Sequence, residues 1–188
     1  MPTENEKILA DKLWFTFKAR IRAQERLSRN DFHSQLILVW YALASTIVAV
    51  VVIRYPSFLG KDTDIVSASL SIALLVISLL VTNRDFRGRA LVMRQNYLAI
   101  QSLHNELTFQ EVPTRTSDEI SKNYQKILSE SENHCEIDDK YFRVFQGNTT
   151  RPASYREKIE VGLYLLLRFV ILTVVYMLPV FILMCNRT

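Results

Sequence analysis

Few residues in this chain are of types that carry chemistry, and most of them are scattered. His134, Cys135, Glu136, Asp138 and Asp139 share one short stretch. A thiol beside an imidazole is raw material for nucleophilic catalysis, the ring taking the proton and the thiolate attacking. Adjacent helical positions point about 100° apart, which leaves Cys135 and His134 badly placed to bond each other. His33, His104 and His134 share no metal-ligand spacing, and Cys135 and Cys185 form no C-x-x-C pair. The glycines, at 60, 88, 147 and 162, are too dispersed to cradle a phosphate. The expectation is no enzyme, no cofactor and no metal. The Asn-x-Thr triplets at 148–150 and 186–188 read as chance matches to the glycosylation pattern.

Three other patterns carry more information. Lys18, Arg22, Arg26 and Arg29 recur at helical spacing as a basic stripe, a candidate sensing or partner-binding face for an anionic ligand, an acidic partner or lipid phosphates. Its plainer reading is a solvated face that also sets topology. Ser67, Ser71, Ser78 and Thr82 fall within an arc of roughly 60° on a helical projection, with Leu74 among them. Several subunits would turn such an arc into rings of hydroxyls, with Leu74 as a constriction that gates by dewetting. Alternatively the hydroxyls bond their own helix carbonyls and let a neighbouring helix approach closely. Arg168 interrupts an apolar block. It either snorkels to the headgroups or faces a pore or partner.

The elements that must position these residues are helices. Leu36 to Ile53 and Ile65 to Thr82 are each 18 residues without a charge, and Phe169 to Asn186 is a third apolar run. At about 1.5 Å per residue each reaches roughly 27 Å, close to the hydrocarbon thickness. The first 34 residues are rich in charge and do not read as a cleavable signal, so the first run stays as an anchor. Lys and Arg gather before the first run and just after the second, whereas between the two runs there are only Arg54 and Lys61, offset by Asp62 and Asp64. The positive-inside rule then places the N-terminus and the bulk of the soluble part in the cytoplasm, and sends the third run outward.

The fold class is an all-α integral membrane protein, a helical transmembrane hairpin with long cytoplasmic helical extensions and a third C-terminal transmembrane helix. The expected divisions are 1–34, a basic amphipathic helix; 35–83, the hairpin; 84–112, an extension of span two; 113–158, a helical region and linker; and 159–188, the third span. Phe86, Ala90, Met93, Tyr97, Ile100, His104 and Leu107 alternate by four and three, which predicts a coiled-coil-like continuation of span two ending at Pro113. Its first-choice partner is the N-terminal helix, through Leu9, Leu13, Phe17 and Ile21. Thr116 to Glu119 reads as the N-cap of a helix carrying Ile120, Tyr124, Ile127 and Leu128, and a shorter helix follows over Asp138 to Phe145.

Trp14 and the Arg-rich helix before a hairpin of spans, the Arg84 to Leu107 helix with Tyr97 and Leu103, and the run Tyr124, Leu128, Glu132-Asn133-His134, Asp138 together resemble the SLATT family. These are the SMODS and SLOG-associating two-transmembrane effector domains. The resemblance leaves out the third span, and comes nearest the subgroup linked with reverse transcriptases or nucleotide-signal synthases. It implies a homo-oligomeric pore-forming effector of antiviral defence in the bacterial inner membrane, causing abortive infection. Its trigger would be a nucleotide, a nucleic-acid product or a neighbouring enzyme. The competing reading is a membrane-anchored scaffold that recruits such an enzyme.

Overall fold

The computed structural model describes residues 4–56, 60, 63–109, 116–146 and 149–185. Within these described residues six helices follow in order: α1 Glu4–Arg54, α2 Thr63–Arg84, α3 Phe86–Phe109, α4 Ser117–Ser129, α5 Glu136–Phe145 and α6 Tyr155–Cys185. Among the described residues there is no strand. The predicted stop at Pro113, part of the connection between the first two spans and both Asn-x-Thr triplets fall wholly or partly outside the described residues. The chain packs as two compact units, one of residues 1–28 and 87–162, the other of 29–86 and 163–188.

Helix α1 runs unbroken through 51 residues, so the expected amphipathic helix and first span are one element. No Gly or Pro interrupts it. The helix that follows span two is separated from it by a single residue. α2 ends at Arg84, and Asp85 has φ +38° before α3 begins. Asp is among the few L-residues that enter the left-handed region at modest cost, and a single such residue breaks the ladder of helical hydrogen bonds. The Asp85 N–H donates to the Thr82 carbonyl at 3.3 Å, a three-residue turn rather than a helical bond.

In the first unit, Leu13 and Phe17 of α1 pack with Ile100 and Leu103 of α3 and Ile120 and Tyr124 of α4. The N-terminal helix is thus the partner of the α3 seam. The buried line along α3 is Ala90, Met93, Asn96, Ile100 and Leu103, shifted by one residue from the predicted Tyr97 and His104. Thr116 caps α4, its hydroxyl accepting from the Glu119 N–H while Glu119 accepts from the Thr116 N–H. α5 buries Phe142 against Trp14, ring centroids 5.3 Å apart. Arg143 joins α5 to the start of α6 by pairing with Glu157, whose carboxyl it pulls down to about 2.

In the second unit, α1 and α2 form a hairpin in which Val48 and Val52 meet Leu70 and Val66. α6 runs parallel to α1. Tyr176 Oη bonds His33 Nδ1 at 3.2 Å, Trp40 Nε1 donates to the Tyr176 carbonyl at 3.0 Å, and the Tyr41 hydroxyl donates to the Val175 carbonyl at 3.0 Å. The last bond has a reason in the sequence. Pro179 lies four residues after Val175 inside α6 and has no N–H to give that carbonyl. A carbonyl freed in an apolar layer must find another donor, and Tyr41 supplies it.

Candidate functional site

The α2 arc lies along one flank of the helix. Ser67, Leu74 and Ser78 are half-buried on the side that packs within the unit, while Ser71 and Thr82 are exposed at its edge. Ser71 donates to the Ser67 carbonyl at 3.1 Å and Thr82 to the Ser78 carbonyl at 2.9 Å. These two hydroxyls are satisfied by their own helix, yet their oxygens can still accept from water or a neighbour.

The basic stripe is divided by its surroundings. Lys18 stands over the rings of Trp14 and Phe17, at 5.9 and 5.4 Å. Arg22 pairs with Glu25 at 2.7 Å and covers the Tyr141 ring. Arg26 grips Asp138 with two hydrogen bonds, Nε to Oδ1 at 2.8 Å and Nη2 to Oδ2 at 3.0 Å. The Asp138 side chain is only 4% exposed, so this pair works inside the packed unit. Asp138 also accepts from the Cys135 N–H at 3.0 Å and so helps start α5. Arg29 is exposed, in the second unit.

Beside that pair lies a buried polar cluster centred on Arg20. Arg20 is 1% exposed, donates from Nη1 to the Asn96 side-chain oxygen and to Ser131 Oγ at 2.7 Å, and leaves Nε without a hydrogen-bond partner. Asn96 in turn donates to the Ile127 carbonyl. No carboxylate pairs with Arg20 among the described residues. Burial accordingly lowers its pKa from the usual guanidinium value. His134 Nδ1 is buried without a partner, and burial, then the charge of Arg20, push the imidazole below its ordinary 6.5, with Asp139 and Asp138 opposing. His134 therefore makes no Nδ1 bond to Cys135, whose Sγ instead accepts from Arg26 at 3.4 Å. Among the described residues no three His, Cys, Asp or Glu side chains gather as a metal site.

Among the described residues, three stretches of helix, in α1, in the run from α2 through α3 and in α6, are long and apolar enough to cross a membrane. Only 17%, 6% and 6% of the most apolar 18 positions in each are buried within the chain. Val39, Leu43, Ile72, Leu79, Phe169 and Val174 are among the large side chains left exposed. Water does not tolerate apolar surface on that scale, so these helices belong in a membrane. The family model of the SMODS and SLOG-associating 2TM effector domain family 5 matches residues 2–185. The chain belongs to this family. Comparisons with curated proteins and with solved structures found no match.

The SLATT match runs through α6, correcting the expectation that family likeness stops short of the third span. Arg168 sits opposite His33 on α1. It precedes Tyr176 by just over two turns, about 12 Å along the axis, which brings it level with the residues ahead of Leu36. It lines a cavity of about 320 Å³ with Asn30, His33, Ser34, Ile37 and Leu172. Sequence reasoning overlooked Arg20 and Asn96. A signal existed, because Arg20 falls three residues after Phe17 on the line through Leu13 and Leu27, where an apolar residue is the norm.

Proposed function

We propose that this SLATT protein is an effector of bacterial antiviral defence that oligomerises in the inner membrane into a gated pore. Opening dissipates the membrane potential and ends infection together with the infected cell. Besides family membership, one observation supports the reading: Ser71 and Thr82 remain exposed at the edge of a face that also holds Ser67, Leu74 and Ser78. Copies arranged about an axis would bring such faces together, hydroxyls giving water its path and Leu74 closing it by dewetting. The trigger acts from the cytoplasm as a nucleotide, a nucleic-acid product or a neighbouring enzyme. Arg22, at the surface of the basic stripe, is better placed than Arg26 to meet it.

The scaffold reading keeps one observation in its favour, since the Ser71 and Thr82 protons are already committed to their own helix. Membrane potential separates the two. In cells carrying a potential-sensitive dye, with and without the adjoining genes, the wild-type chain should depolarise only when triggered, and Leu74→Ser on expression alone. An inserted chain that leaves the potential unchanged in both forms is a scaffold.

A further inference from the structure

We infer that the cavity between α1 and α6 binds one acidic phospholipid, with the phosphate on Arg168 and an acyl chain running toward Leu172. The first support is the order of its lining. On the α1 side the lining runs from Asn30, His33 and Ser34 to Ile37, and on the α6 side Arg168 stands among apolar neighbours such as Leu167 and Leu172. From Asn30 to Ile37 is about 10 Å along the helix, over which the α1 wall changes from polar to apolar as a lipid does from headgroup to chain. Depth is the second support. The charge-free run of α1 begins at Leu36, so the polar end stands where lipid phosphates sit and the apolar end inside the hydrocarbon.

Charge is the third. No carboxylate pairs with Arg168 among the described residues, and Arg29 adds a second cation on the same stretch of α1. A basic pocket between helices at the headgroup level is the arrangement that selects anionic lipids. A volume of about 320 Å³ suits a phosphoglycerol headgroup with the first carbons of a chain, the remainder lying in the bilayer. The cavity takes a phosphate diester with an attached tail, rather than a free phosphate, because most of its wall is apolar. This inference does not depend on pore formation, since it needs only that the helices lie in a membrane.

The test uses the full chain in mild detergent, titrated with phosphatidylglycerol or phosphatidylcholine, bound lipids being counted by native mass spectrometry. One phosphatidylglycerol per chain should survive conditions that strip phosphatidylcholine. Arg168→Gln should lower its retention about tenfold, and Arg168→Lys should largely keep it. Leu172→Trp, which fills the apolar end without touching charge, should lower retention as well and decides the matter if Arg168→Gln fails to fold. Equal retention of the two lipids overturns the inference, as does retention unchanged in Arg168→Gln and Leu172→Trp. Displacement by millimolar glycerol 3-phosphate would also overturn it, because the site would then be one for soluble phosphate.

Discussion

A guanidinium buried without a carboxylate is costly, and Arg20 is held by two neutral acceptors while its Nε stays unbonded. Next to it, burial and then the charge of Arg20 hold the His134 imidazole below its ordinary pKa, with Asp139 and Asp138 opposing. The consequence for stability has a definite sign. A histidine whose folded pKa lies below 6.5 binds fewer protons in the folded chain than in the unfolded one, so its full contribution is present above 6.5 and is lost progressively as pH falls from there through the lower folded-state pKa. His104 shifts the same way, by burial and by Lys18, against a hydrogen bond with Asn105 that acts in the opposite direction. Thermal midpoints measured from pH 7.5 down to 5.5 should therefore fall in the wild-type chain. His134→Gln should flatten that slope and leave a residual part due to His104 and His33, the latter lowered by burial and by Arg168 and Arg29. If the two slopes coincide, His134 is protonated freely in the fold and the buried cluster around Arg20 is not as described.

Among the elements, the least expected feature is the break between α2 and α3. Apolar periodicity carried the helical pattern straight across residue 85, because heptad spacing registers which face is buried and is blind to one residue's φ. Only the type of Asp85, tolerant of left-handed backbone, was available as a clue. A φ of +38° predicts a particular order of variants. Asp85→Gly should keep the thermal midpoint or raise it, since glycine enters that region without steric cost. Asp85→Ala should cost about 1 kcal/mol, the usual penalty for Cβ in the left-handed region. Alanine more stable than glycine would mean that α2 and α3 join into one helix in the folded protein. By contrast, the cap at Thr116 and Glu119 and the seam between α1 and α3 were legible in advance. Each depends on local chemistry or on spacing repeated over several turns, and such repetition survives a shift of one residue such as that from Tyr97 to Asn96.

At the scale of the whole molecule, three apolar runs were plain from length and lack of charge. Hidden in the sequence was how the third is joined to the others, because side chains that meet across helices leave no trace in the spacing of either. The family is described as two-transmembrane, yet the match extends through α6, and the contacts of α6 with α1 include hydrogen bonds inside the apolar layer. Pro179 and Tyr41 give a way to test whether that union is specific. Tyr41→Phe leaves the Val175 carbonyl with no donor from Pro179 and none from the hydroxyl, which should cost about 1–3 kcal/mol. Pro179→Ala restores an N–H four residues on, so in its background the Tyr41→Phe loss should shrink to a few tenths of a kcal/mol. A double-mutant cycle on unfolding in detergent or bicelles measures the difference directly. Coupling of about 1 kcal/mol or more makes α6 a fitted third member of the bundle, its proline answered by a hydroxyl on α1. Strict additivity would mean that the Val175 carbonyl is satisfied elsewhere and that α6 is held to the hairpin by apolar packing alone.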